Sequence, residues 1–341
     1  MLSAAFPGTD VLEIRLANFL DLRGMSRDAV LKETDQGFGP PVLAVAAGSV
    51  LAGFGNVRSD LDLHVLVEND ELTRFPIQSH EHGTLIDVAI RRASTVRNST
   101  AALSTEPWPR FTSVTEKAWN HRRRTLITIS RLALGLPLVM TEPWDEWYAG
   151  SRRPWLQQVL QQWWVVEAHR LAQAARWLSD TKPLVALTRA REAVVAALSA
   201  HTTEAGELYF ASKWVSEKLK ALADHENLAL LREILEPTDP HVRVRRCLDA
   251  VERLVGSGPS LHCVLRWATG THAMELDDRT VVDRWQLRAL EVRQRGLSPT
   301  GTDDVLWSGP LGTPLPAELR PLFLHNMVWL GVAYPDPEVA S

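Results

Sequence analysis

The sequence predicts an α/β N-terminal domain followed by a mainly α-helical C-terminal domain. Three observations predict it. Short apolar runs of strand length alternate with helix-period segments up to residue 140, a stretch mixing proline, glycine and aromatic residues interrupts them from Glu142 to Pro154, and helical spacing continues from Trp155 to about Leu222. At 341 residues the chain is long enough for two domains with a sizeable core, placed at 1–145 and 146–341.

The first helix is expected from Asp10 to Leu22, where Val11, Leu12, Ile14, Leu16, Phe19 and Leu20 recur at helical spacing behind Thr9 or Asp10 as cap. A second runs from Ser26 to about Thr34 and stops before Gly37-Phe38-Gly39-Pro40-Pro41. Val42 to Ala46 is an apolar run of buried-strand length, and Gly48-Ser49 then gives a turn that opens a helix. At such a helix start, free backbone N–H groups and the serine hydroxyl face an incoming phosphate. Leu61 to Val67 is the next strand. Asp60 and Asp62, two residues apart, send both carboxylates from one of its faces, and hard oxygen ligands converging there suit Mg²⁺. In the polar connection that follows, His80-Glu81-His82 reads as an exposed hairpin loop in preference to a metal site. Thr84 to Ile90 is a strand with Asp87 among apolar β-formers.

The run Gly48-Ser49, Gly53 and Ser59-Asp60-Leu61-Asp62, with Asp87 on a later strand, resembles the nucleotidyltransferase superfamily that includes DNA polymerase β. The pattern of that family is Gly-Ser, a short helix with a further Gly, then Ser-Asp-x-Asp, and a third carboxylate on the next strand. The resemblance implies a mixed sheet with flanking helices. It also implies that Asp60, Asp62 and Asp87 are the catalytic, Mg²⁺-holding triad, and that Gly48, Ser49 and Ser59 lie at the phosphates of a nucleoside triphosphate.

Glu116 to Leu134 is expected to be helical, and its cluster Arg122-Arg123-Arg124 is read as a solvated face ahead of a phosphate site. Leu136 to Met140 is the last strand of the domain. Beyond the boundary a helix spans Val185 to Ser199 and another begins near Leu208. Leu187-Thr188-Arg189-Ala190-Arg191, Gly206 and Ala211-Ser212-Lys213 resemble the helical domain of aminoglycoside nucleotidyltransferases, the streptomycin and spectinomycin adenylyltransferases among them. The resemblance puts Arg191, or Arg189 in the other register, and Lys213 on the nucleotide phosphates. It implies transfer of AMP from ATP to a hydroxyl of a small molecule, such as an antibiotic or natural-product intermediate, with release of pyrophosphate. Transfer to RNA or to a protein partner is the alternative.

The charge pattern bears on the acceptor. The formal net charge is -4, and residues 1–140 carry 15 basic and 15 acidic side chains, so the whole negative excess lies beyond them. A chain that grips long RNA or DNA presents a basic stripe, which makes long nucleic acid an unlikely partner and a neutral or cationic small molecule a compatible one. The 2 cysteines, Cys247 and Cys263, form neither a disulfide framework nor a zinc motif. The N-terminus lacks a basic, apolar leader and no stretch reaches the length of a membrane span, so a cytoplasmic protein with no membrane partner is expected. Of 13 tryptophans, Trp163 and Trp164 read as core, while Trp108, Trp144, Trp147 and Trp307 are candidates to stack a planar or sugar substrate, or a nucleobase. Asp224 to Leu235 and Val242 to Val255 look helical, and Gly296 to Pro316 reads as a long loop.

Overall fold

A computed structural model describes residues 6–72, 74–258, 260–276, 279–292 and 304–335. By contacts these fall into two compact units. Met1–Glu106, Arg124–Gln161 and Thr202–Leu222 make the first, and Pro107–Arg123, Gln162–His201 and Ala223–Ser341 the second.

The chain opens with α1 (Thr9–Asp21) and α2 (Arg27–Lys32), then β1 (Pro41–Ala47), the short α3 (Gly48–Ala52), β2 (Leu61–Val67), β3 (Arg74–Glu81) and β4 (Thr84–Arg92). After α4 (Ala93–Thr105) and α5 (Glu116–Leu134) come β5 (Leu136–Met140) and α6 (Glu142–Ser151). The five strands form one sheet in the order β3-β4-β2-β1-β5. β2 and β4 pair parallel and the other neighbours antiparallel, so the sheet is mixed.

Alternation along β1 explains why its sequence is apolar throughout. Ala44 and Ala46 enter a core with Leu12, Leu16, Phe19 and Leu20 of α1, whereas Leu43, Val45 and Ala47 enter another with Ala93 and Val96 of α4, Leu132 of α5 and Trp144 of α6. Both faces of a central strand are covered by helices, as its continuous hydrophobic run requires. Each fully buried leucine in these layers, such as Leu12 or Leu43, contributes roughly 2 kcal/mol of apolar burial.

Local signals account for the helix ends. The Ser26 side chain accepts from the Ala29 N–H at 3.1 Å and starts α2. The cap of α1 is Gly8 without a side-chain bond, so Thr9 and Asp10 fall inside the first turn, where Asp10 meets the positive end of the helix dipole. The stretch from Glu142, expected to be a boundary, is mostly α6: Pro143 sits in its first turn, where a missing N–H costs nothing, and Trp144 is fully buried. His80 and Glu81 end β3, and the hairpin reverses at His82 and Gly83, both with positive φ.

The rest is helical before it turns to strands. α7 (Pro154–Leu178) and α8 (Pro183–Glu204) are long, a 3₁₀ turn (Ser212–Trp214) leads into α9 (Val215–Ala221), and α10 (His225–Leu235) and α11 (Pro240–Val255) follow. The helix expected near Leu208 begins only at this turn, since Leu208, Tyr209 and Phe210 are a buried non-helical segment. Asp239 caps α11 by accepting from the His241 and Val242 N–H groups at 2.9 and 3.0 Å. Next come β6 (His262–Trp267), β7 (Thr271–Leu276), β8 (Arg279–Arg284), β9 (Arg288–Val292), β10 (Val305–Pro310), α12 (Arg320–Leu324) and β11 (Val328–Ala333). They form two antiparallel sheets, β10-β6-β11 and β7-β8-β9. The loop expected from Gly296 to Pro316 therefore contains a strand, while its residues 296–303 lie outside the described ones. Among the described residues no helix is long and apolar enough to cross a membrane.

Candidate active site

The aspartates of β2 and β4 stand side by side. In the parallel pair Asp62 is level with Asp87, and on its other flank Asp62 is level with Ala47 at the end of β1. Leu61, Leu63, Ile86 and Val88 fill the core on one face of the sheet, so the strand period sends Asp62 and Asp87 to the other. Asp60 immediately precedes β2. Burial raises the pKa of Asp62 above its ordinary value; Arg131 opposes that, Asp60 and Asp87 add to it, and Lys213 opposes it again. All four charged groups are therefore felt at one carboxylate.

Gly48 is where the backbone makes room. Its φ is 87°, a region that side chains disfavour, and a Cβ there would run into the Asp62 carboxylate. Ser49 is buried, and its hydroxyl donates to Ser59 Oγ at 3.4 Å. Ser59 Oγ in turn accepts from the Asn56 N–H at 2.9 Å, tying the loop before Asp60 to α3.

Four further side chains complete the site. Arg131 Nη1 donates to Asp62 Oδ1 at 3.1 Å and also bonds the Tyr209 hydroxyl. Burial pushes that hydroxyl up to about 12, against the pull of Arg131, so Tyr209 remains a neutral donor. Phe54 packs at 6.1 Å from Tyr209 and stacks on Trp214 at 6.0 Å and 20°. Lys213 Nζ lies 5.6 Å from the Trp214 ring centroid, and the buried Trp214 indole N–H has no hydrogen-bond partner among the described residues. One signal marks Arg131 in the sequence: it is a lone charge inside the run from Leu126 to Leu134. Tyr209 and Trp214 have none, because they join the site only through the return of Thr202–Leu222 to the first unit, whereas Phe54 follows Gly53 inside the motif run itself.

Gly48, Ser49, Ser59, Asp60, Asp62, Asp87 and Lys213 thus belong to one compact unit, and Arg191 belongs to the other. Arg191 Nε donates to the Ile234 carbonyl at 2.7 Å, with Nη2 3.5 Å from the carbonyls of Leu235 and Glu236, closing the C-terminal end of α10. Arg189 is exposed and ion-paired with Glu192 at 2.7 Å. The tryptophans considered for stacking a substrate serve packing. Trp144 is fully buried against Trp147, Trp108 stacks on Trp163 at 5.1 Å, and Trp307 meets Trp177 edge-on.

Among the described residues no group of three or more His, Cys, Asp or Glu side chains is gathered as a metal cage. The donor chemistry still fits a hard divalent cation. Asp60, Asp62 and Asp87 offer only carboxylate oxygens, and Asp60 and Asp87 add to the cost of ionising Asp62, which a cation relieves; Arg131 meets part of that need.

No protein-family model matches the sequence, and no curated protein matches it. Among solved structures the chain is similar to a nucleotidyltransferase-like protein from Exiguobacterium sibiricum 255-15. The identity is 14%, the match covers 69% of this chain and 75% of that one, and the TM-score is 0.39. A superposition that loose does not bear on the activity.

Proposed function

We propose that the chain is a Mg²⁺-dependent nucleotidyltransferase that moves a nucleoside monophosphate, AMP from ATP in the reading the sequence favours, to a hydroxyl of a small molecule and releases pyrophosphate. One observation carries the reading: Asp62 and Asp87 are level on parallel strands, with Asp60 coupled to them and Gly48 cleared of a Cβ where the Asp62 carboxylate lies. Asp60, Asp62 and Asp87 would hold Mg²⁺, which when bound supplies charge neutralisation of the triphosphate and acidification of an attacking hydroxyl. The chain's own groups do the rest. Arg131 fixes the Asp62 carboxylate in place and is itself bonded to the Tyr209 hydroxyl. Ser49 and Lys213 offer a hydroxyl and a cation to phosphate oxygens, offsetting charge on the departing pyrophosphate. Phe54 and Trp214 form an aromatic pair against which a base can stack. Asp87, half-buried beside Asp62, would accept the proton of the acceptor hydroxyl.

Incubation of the purified protein with each NTP and a library of hydroxyl acceptors, read by pyrophosphate release and acceptor mass, tests this. The expected result is a nucleotide-sized mass gain on an acceptor, with Lys213→Ala weakening nucleotide binding about tenfold or more through loss of one charge-assisted contact. Pyrophosphate release that is the same in Asp60→Asn as in the parent would refute it.

A further inference from the structure

The second unit contains a cavity of about 520 Å³, bordered by the start of α5, by α7 and α8, and by α12 and β11. That is the size of a small-molecule site. Its two carboxylates are already satisfied. Glu167 accepts a two-pronged contact from Arg170, at 2.8 Å on each oxygen, and the Trp119 indole N–H at 3.1 Å. Glu116 accepts from Arg284 on both oxygens at 3.2 Å and from the Thr269 N–H at 2.7 Å.

Cations are in excess over these two. Besides Arg170 and Arg284, the cavity is lined by Arg123, Lys182 and Arg189; with Arg189 ion-paired to Glu192 at 2.7 Å, Arg123 and Lys182 are two positive charges beyond those the carboxylates meet. Lys182 Nζ donates at 2.6 Å to the Leu324 carbonyl, which leaves its charge uncompensated. Arg123 has no hydrogen-bond or ion-pair partner among the described residues. An aromatic wall stands beside them. Trp119 and Trp329 meet edge to face at 5.6 Å, and Trp119 is held from behind by Trp163 at 5.1 Å. Trp119 is 4% exposed, so the ring surface offered to a planar ligand is that of half-buried Trp329, which Trp119 holds in place without an ordering cost at binding.

We propose that this cavity is a second small-molecule site that takes a planar aromatic oxyanion, a carboxylate or a phosphomonoester, with its ring against Trp329 and its anionic group on Arg123. The site shares no residue with the aspartate site and does not depend on the reading of that site. It also divides the arginine cluster of α5 by role: Arg122 lies over the Trp108 ring at 4.6 Å, whereas Arg123 faces the cavity.

Titration calorimetry of the full chain with 1-naphthyl phosphate, 1-naphthoate and inorganic phosphate tests the proposal. Saturable binding of either naphthyl anion supports it, and which of the two binds tells a phosphomonoester from a carboxylate ligand. Inorganic phosphate should bind about tenfold or more weakly, for lack of a ring to stack. Arg123→Ala, a change at an exposed side chain that leaves the melting temperature alone, should weaken the aromatic anion about tenfold or more by removing a charge-assisted contact. Lys213→Ala should leave it unchanged. Absence of saturable binding by both naphthyl anions, equal affinity for inorganic phosphate, unchanged affinity in Arg123→Ala, or loss in Lys213→Ala would each overturn it.

Discussion

Asp62 is 8% exposed, and its ionised form is disfavoured by burial and by two neighbouring carboxylates. Asn at this position removes the charge at constant size. Asp60→Asn and Asp62→Asn are each expected to lower transfer by about a thousandfold or more, since each takes a charged group from the reacting centre. The sign for stability is opposite. A carboxyl whose folded pKa is raised opposes folding at neutral pH, so Asp62→Asn should melt no lower than the parent, with Arg131 retaining Tyr209. Turnover and melting temperature measured on the same preparations check both halves, and a mutant that melts well below the parent contradicts the second. His169 behaves differently. It is 3% exposed on α7, its Nε2 has no partner among the described residues, and burial, with Arg176 nearby, lowers its pKa from 6.5 to about 4. A neutral imidazole thus contributes stability above about pH 6.5 that is lost as pH falls toward 4, because the unfolded chain takes up the proton first. Between pH 7 and pH 5 the loss is about 2 kcal/mol. Urea unfolding at the two pH values should show a loss smaller by about that amount in His169→Gln than in the parent, the remainder including buried His64, whose pKa burial also lowers; equal losses would mean that His169 does not contribute.

At the scale of elements, β2, α5 and β5 lie where their sequences indicate, because each is a continuous periodic run bounded by a turn or a charge. The stretch from β1 through α3 to β2 was legible for a stronger reason: Gly48, Ser49, Ser59, Asp60 and Asp62 are close in sequence and the backbone between them is short. β3 was not legible. It is an exposed edge strand with Pro76 and polar residues, and only its pairing with β4 makes it a strand. α4 is rich in Ala, Ser and Thr with three buried residues, a weak pattern, and α6 was hidden by a proline that starts a helix as readily as it ends one. Long-range returns are silent in a sequence, and Tyr209 and Trp214 reach the aspartate site by one. Arg191 shows the limit of matching short motifs. Its guanidinium is committed to the last carbonyls of α10, so Arg191→Ala should lower stability by about 1 to 3 kcal/mol and increase hydrogen exchange in that helix. Lys213→Ala, at an exposed side chain, should lower nucleotide affinity without lowering the melting temperature. If Arg191→Ala instead weakens nucleotide binding at unchanged stability, the phosphate role implied by the resemblance holds.

At the scale of the whole molecule, two compact units carry two chemically distinct concentrations of charge. The aspartate centre of the first unit gathers Asp60, Asp62 and Asp87 with Arg131 and Lys213, an arrangement suited to a cation and a phosphate chain. The cavity of the second has an excess of positive charge, which disfavours a cationic ligand there. The net charge of -4 hides this contrast, because it sums over both. The central claim is that the aspartate centre transfers a nucleoside monophosphate. ATP labelled at the α-phosphate and ATP labelled at the γ-phosphate, each incubated with Mg²⁺ and the acceptor found by screening, separate this from transfer of a terminal phosphate. The α-label should move to the acceptor while the γ-label leaves in pyrophosphate, and Asp60→Asn should stop both. Movement of the γ-label to the acceptor, or transfer undiminished in Asp60→Asn, would contradict it.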